Sequence, residues 1–236
     1  ETRQGPDYHR GELRLGGDAP EADLIYAPSA ELWRINLGWR RRKDKNSHGF
    51  WLDMNRGVWS RKEDPGNENQ SESPEVNAND LKRVVPYVND RQNALLLTLQ
   101  PDGLRRLKGD EPTATVEQYL SLGYALKRGI CVTFQLEENE LAMELMPDDR
   151  HPHSLLFIES SEGGAGVLTR LLEEPGAIAR VARSALEVCN CDPVTGADHG
   201  LEHDCGLACY QCLLSYTNQP DHEALNRYLI RDTLRD

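Results

Sequence analysis

No apolar run in this chain approaches the roughly 20 residues that a helix needs to cross a bilayer. The N-terminal Glu1-Thr2-Arg3-Gln4-Gly5-Pro6 has neither an initiator Met nor an apolar signal region, so it reads as a piece cut from a longer, cytoplasmic protein. No Gly-x4-Gly-Lys-Ser/Thr phosphate loop occurs, which excludes a nucleotide motor of that design. No Ser or Cys stands with a recognisable base, so a nucleophilic hydrolase has no visible machinery. No internal repeat is present. Cysteine is scarce outside one stretch: five of the six lie between Cys189 and Cys212. A disulfide framework would spread cysteines to staple distant parts of the chain. Their clustering points to a metal and a reducing compartment. Cys131 stands apart in an apolar run and reads as a buried small hydrophobe. Apolar residues are also short, at 38%, against 28% charged, in keeping with a soluble protein rich in surface loops.

The formal net charge is −12, which taken alone argues against a nonspecific nucleic-acid binder. The distribution matters more. Between Arg34 and Lys62 there are nine Lys/Arg against two Asp/Glu, and all four tryptophans (Trp33, Trp39, Trp51, Trp59) fall in or beside this stretch. Arg40, Arg41, Arg42, Lys43 and Lys45, with Trp39 and Phe50, could grip a nucleic-acid strand: cations meet phosphates and indoles stack on bases. The alternative is that the tryptophans alternate into a small core, as Trp33, Ile35 and Leu37 do. The cations would then be a solvated hairpin tip or face an acidic surface on another protein.

Periodicity predicts an α+β fold of antiparallel strands with packed helices. Strands are predicted at Asp23–Ala27, Leu32–Leu37, Phe50–Leu52 and Val58–Trp59, the last two joined by a turn at Asn55-Arg56-Gly57. Further strands are predicted at Val84–Val88, Ala94–Leu99, Cys131–Leu136, Leu141–Leu145 and His153–Glu159. Pro101 and Gly103 end a unit. Thr115-Val116-Glu117-Gln118 has the form of a capping box and opens a helix to about Arg128. A helix follows Gly163-Gly164-Ala165-Gly166, and another starts near Pro175 and reaches the first cysteines. Helices at about Ala208–Tyr216 and Ala224–Leu234 close the chain. The domain reading is a β-rich basic and aromatic segment over 1–62, a flexible loop over 63–82, and a zinc-binding α+β domain over 83–236.

The cysteines read Cys189-x-Cys191, thirteen residues, then Cys205-x3-Cys209-x2-Cys212. Zinc takes four ligands in a tetrahedron, and a Cys-x2-Cys knuckle supplies two from one turn of backbone. Five cysteines compete for four places. Cys209 and Cys212 come first, Cys205 and Cys191 next, with Cys189 in competition; His199, His203 and His222 are reserves. An iron–sulfur cluster is the rival, since it also uses four thiolates. Four thiolates leave no open position, so the ion is structural. Other candidates are weaker. His151 and His153 with Asp148 and Asp149 form a loop that could hold a second metal. Glu159 and Glu162 flank the glycine turn, where two carboxylates could do acid–base work. That turn could also present N–H groups to an anion.

The block Cys205-Gly206-Leu207-Ala208-Cys209-Tyr210-Gln211-Cys212-Leu213-Leu214-Ser215-Tyr216, followed by Asn218-Gln219, His222, Leu225 and Arg227, resembles the C-terminal zinc-binding (MZB) domain of MrfA-like superfamily 2 DNA helicases. Leu156-Phe157-Ile158-Glu159 with Gly163-Gly164-Ala165-Gly166, and Tyr124-Ala125-Leu126-Lys127-Arg128 leading to Phe134, fit the same family. So do Ile35-Asn36-Leu37-Gly38-Trp39 and Pro86-Tyr87-Val88-Asn89. The resemblance covers roughly residues 24–230. It implies an accessory domain of a helicase-like ATPase acting on DNA in repair or phage defence. It implies four zinc-binding cysteines and, as partners, a helicase core on the same or a separate chain, and DNA. The family's shorter form maps to Cys189, Cys191, Cys209 and Cys212. This chain departs from it by the insert 192–204 and the extra Cys205. A protein–protein scaffold docking onto a separate ATPase, or a metal-dependent hydrolase, are the alternatives.

Overall fold

The computed structural model describes residues 8–14, 19–39, 42–44, 46–60, 80–160, 164–199 and 205–235. In chain order these form β1 (His9–Leu13), β2 (Ala22–Ile35), β3 (Phe50–Asp53), β4 (Val58–Trp59), β5 (Leu81–Val84), β6 (Tyr87–Leu99), α1 (Pro101–Lys108), α2 (Val116–Phe134), β7 (Leu141–Met146), β8 (Ser154–Glu159), α3 (Val167–Glu173), α4 (Ala177–Val188) and α5 (Arg231–Arg235). Short 3-10 turns lie at Glu138–Glu140, Gln219–Ala224 and Arg227–Leu229. Contacts divide the chain into two units: Glu1–Ala30 with Gln92–Asp236, and Glu31–Arg91.

The larger unit is built on a five-stranded sheet in the order β1-β2-β6-β8-β7. The pairs β1/β2, β6/β8 and β7/β8 are antiparallel. Alternation puts Ala22, Leu24 and Tyr26 of β2, and Leu141, Met143 and Leu145 of β7, into the core. Strand β8 lies inside the sheet, and its run Leu155-Leu156-Phe157-Ile158 is buried almost throughout. Leu155 pairs with Leu97 on one side and Leu145 on the other and is fully buried. Burying a leucine of this kind contributes about 1.5–3 kcal/mol.

Helix α2 packs on α4 and on β7 and β8. It starts where the capping box predicts: Thr115 Oγ1 accepts from Gln118 N at 3.3 Å, and Gln118 Oε1 accepts from Thr115 N at 2.9 Å. It ends later than the sequence suggests. Residues 131–134 are helical, because the buried positions Tyr119, Leu122, Leu126 and Ile130 continue the three-to-four spacing. The helix stops at Gln135, which adopts the left-handed conformation (φ 58°). Gly129 lets the two helices touch: a Cβ there would run into the carbonyl oxygen of Val181 and sit 2.9 Å from Ala185 Cβ.

Three other expectations change. Pro101 does not end a unit but begins α1, the first-turn position where its missing N–H leaves nothing unmade. Residues 208–216 form tight turns rather than a helix. The segment 224–234 is a broken series of 3-10 turns and the short α5.

In the smaller unit β3 pairs antiparallel with β4 and β5, with Leu52 opposite Trp59 and Phe50 opposite Val84. The predicted turn is there: the buried Asp53 accepts from Asn55 N and Arg56 N at 3.0 Å each. Of the loop expected over 63–82, residues 63–79 lie outside the described residues, and Leu81 and Lys82 begin β5. Among the described residues no helix is long and apolar enough to cross a membrane.

Candidate metal centre

Helix α4 delivers the first cysteines. Cys189 caps its C-terminus and donates its N–H to Ala185 O at 3.0 Å. Asn190 then turns left-handed (φ 59°), and Cys191 N returns to Leu186 O at 2.9 Å. This turn sends the two side chains in different directions although they are only two residues apart. Beyond it, Asp192 Oδ1 accepts from Val194 N and Thr195 N at 3.0 and 2.7 Å, a side-chain-closed turn, and Cys191 forms an isolated antiparallel β-bridge with Asp198.

The second set comes from the turns at 205–212. Cys212 N donates to Cys209 O at 3.1 Å, and Leu214 N donates to the same oxygen at 3.0 Å. Cys209 N points at Cys212 Sγ, 3.0 Å away. Asn218, nearly fully buried, fastens the following loop by accepting from Ser215 N and donating to Leu213 O, each at 2.8 Å. The Sγ atoms of Cys205, Cys209 and Cys212 converge within 4.8 Å of one another. Cys205 Sγ lies 3.2 Å from that of Cys209 and 3.6 Å from that of Cys212.

Cys189 is fully buried and stands outside the group of three. Burial first, then the Cys212, Cys191 and Cys205 thiols, push its thiol far above the usual range. Cys205 is pushed up to about 12 by burial and by its neighbours Cys209 and Cys212. Cys191 is buried too, but its thiol faces elsewhere, toward Cys189 O at 3.6 Å and Arg227 Nη1 at 3.9 Å.

The donor set suits zinc. Four thiolates about 2.3 Å from a tetrahedral ion stand about 3.8 Å apart, near the spacings of the trio. Asn190 Nδ2 is buried beside Cys205, whose thiol it lowers, and is a donor in place for a thiolate. Zinc held this way would supply a cross-link between two distant stretches of backbone and nothing reactive.

The reserve ligands are spoken for or lie apart. His222 Nε2 is 2.9 Å from Ser215 O and 3.0 Å from Asn218 Oδ1, and its ring meets Tyr210 edge-on. His199 is exposed, and His203 lies outside the described residues. His151 and His153 are exposed in a loop closed by Asp148, which accepts from Arg150 N and His151 N. Among the described residues, no further group of metal-ligating side chains gathers. Glu162 lies outside the described residues. Glu159 is fully buried, and its carboxylate accepts from Asn93 Nδ2 (2.9 Å), Gly166 N (3.1 Å) and Leu168 N (2.9 Å). The chain's own carboxylate takes the N–H groups of Gly166 and Leu168, the place at the start of α3 where an outside anion would bind.

In the smaller unit, Arg40, Arg41 and Lys45 lie outside the described residues. Arg42 folds back on Trp39, donating N–H and Nη1 to Trp39 O at 3.1 and 3.3 Å, and Lys43 is exposed. Trp39 packs edge-on against Phe50, and Phe50 against Trp59. Trp33 lies against Tyr87 with ring centres 5.0 Å apart. Trp33, Trp39 and Trp59 still keep about half their surface (54, 46 and 47%), so this pairing of rings is not a closed core.

Residues 122–213 match the family model described as MZB, the MrfA Zn-binding domain, a stretch that contains the whole cysteine cluster. No curated protein matches the chain. Among solved structures, the crystal structure of the DUF1998 helicase MrfA bound to DNA is similar, with a TM-score of 0.42 and 10% identity. That similarity covers 95% of this chain and 24% of the other, so the chain spans about a quarter of that helicase's length.

Proposed function

We propose, from the match of residues 122–213 to the MZB model, that the chain is the accessory zinc-binding part of a superfamily 2 DNA helicase, with a structural ion held by Cys189, Cys205, Cys209 and Cys212. The observation that carries this is the convergence of three thiols within 4.8 Å inside the matched stretch. We assign the fourth place to Cys189, which is fully buried at the end of α4 with the Cys212 and Cys205 thiols acting on it, whereas Cys191 turns to Arg227. The ion braces the C-terminal turns against α4 and does no chemistry. The motor is supplied by the helicase core, on the same or a separate chain, working in the cytoplasm in repair or phage defence.

The smaller unit contacts the DNA. The unit carries the half-exposed indoles of Trp33, Trp39 and Trp59 together with the cations Arg42, Lys43 and Arg83, the last stacked over Trp51, and so offers stacking faces and charge in one unit, the combination that single strands use. Zinc content of the purified protein tests the first part: one zinc per chain, lost in Cys212→Ala together with cooperative melting, is the expected result. Iron, or no metal, would sink it. Fluorescence anisotropy with a single-stranded oligonucleotide tests the second. Binding should weaken as salt rises, and Arg42→Ala with Lys43→Ala should flatten that dependence by about 0.7 for each phosphate that is no longer neutralised. Salt-independent binding, or none, would leave docking to the helicase core as the unit's role.

A further inference from the structure

Arg227 is 4% exposed, a rare placement for a guanidinium. It sits at the start of a 3-10 turn, where Asn226 Oδ1 caps the following N–H of Tyr228. Its donors are spread over both halves of the metal centre. Nη1 donates to Cys189 O at 2.8 Å and faces Asn190 O at 3.4 Å and Cys191 Sγ at 3.9 Å. Nε donates to Gly206 O at 3.1 Å, and the backbone N–H of Arg227 donates to Leu207 O at 2.9 Å. The fork is itself held. Asp198 Oδ1 accepts from Nη1 at 2.7 Å, Tyr228 hydroxyl accepts from Nη2 at 2.7 Å, and that hydroxyl donates to Asp198 Oδ2 at 2.9 Å.

Two consequences stand out. Among the described residues the two cysteine turns share no backbone ladder, so something must fix the separation between Cys189 and Cys205. Arg227 reaches the peptide group of the first and the residue after the second with one rigid plane. Four thiolates on a divalent ion also leave a net charge of −2 in a buried place. A guanidinium keeps its charge there and puts it beside that deficit.

We propose that Arg227 is the positioning residue of the zinc centre: it sets the spacing of the two cysteine turns and supplies the cation that balances the tetrathiolate. This rests on the zinc reading above. The anchors Asp198 and Tyr228 hold the fork in plane, and Cys191 serves as a buried contact of the guanidinium, not as a ligand. Residues that orient metal ligands from outside typically change metal affinity by about 10–100-fold.

The test is zinc affinity by competition with a chromophoric chelator, on the full chain. Melting of zinc-loaded and zinc-stripped protein and the cobalt-substituted absorption spectrum are recorded alongside. Arg227→Gln should weaken zinc about 10–100-fold and shift the thiolate-to-cobalt bands. Arg227→Lys keeps the charge but has no fork, and should recover only part of the loss. Wild-type affinity and spectrum in Arg227→Gln would overturn the proposal, as would equal losses of melting temperature with and without zinc. Full recovery in Arg227→Lys would overturn the bridging role. Should Arg227→Gln not fold, Asp198→Asn decides: its carboxylate is 45% exposed, and loosening the fork should weaken zinc several-fold, whereas unchanged affinity would refute the assignment. A wild-type protein that takes no zinc would instead refute the zinc reading itself, a separate and recognisable outcome.

Discussion

At the scale of residues, the centre turns on which of two neighbouring thiols enters it. Cys189 and Cys191 are equivalent in spacing; on the proposed ligand set, the left-handed turn at Asn190 and the contact of Cys191 with Arg227, 36 residues further on, decide between them. Cys189→Ser should therefore release zinc, whereas Cys191→Ser should keep it and lose only a modest part of the melting temperature. Elemental analysis of the two variants in parallel checks this, and the reverse pattern would exchange their roles. The position of the cluster was legible in the sequence because thiols so close together have few other uses. Its geometry was not, because a positive φ at an Asn and a contact from a distant Arg leave no periodic trace. Glu159 teaches the same lesson. The sequence shows a carboxylate beside a glycine turn and suggests chemistry. The fold spends that carboxylate on Asn93 and the first N–H groups of α3.

Among the elements, α2 separates what local sequence determines from what packing determines. Its start was legible, since the reciprocal bonds of Thr115 and Gln118 involve neighbours only. Its end was not: the β-branched Val132 and Thr133 suggest a strand, but the buried face of the helix continues past them against α4. The close approach at Gly129 makes a sharp prediction. In an exposed helix, Gly to Ala stabilises by about 0.5–1 kcal/mol. Here the new Cβ would strike the Val181 carbonyl, which is backbone and cannot swing away. Gly129→Ala should thus destabilise by about 1–3 kcal/mol, read as a lowered urea midpoint with an unchanged slope. A raised midpoint would show that the helices can separate at no cost. Strand β8 was legible by its unbroken apolar run, and α1 was missed because a Pro-Asp-Gly opening looks like a turn until its later leucines find the core.

For the whole molecule, the important fact is where the chain departs and returns. It leaves the larger unit after Ala30 and re-enters at Gln92, and these residues belong to β2 and β6, neighbours in one sheet. Replacing residues 31–91 with a two-residue Asn-Gly turn should leave a protein that melts cooperatively and binds one zinc, because a tight turn suffices to join adjacent strands. On the proposed role of the smaller unit, the shortened protein should show no salt-sensitive binding to single strands. Failure to fold would show that the larger unit depends on the smaller for its stability. If the shortened chain does fold, the span between Ala30 and Gln92 is a cassette position. Lineages can lengthen, recharge or exchange what is carried there while the metal-braced frame stays the same, so divergence should concentrate in the cassette and leave the frame recognisable.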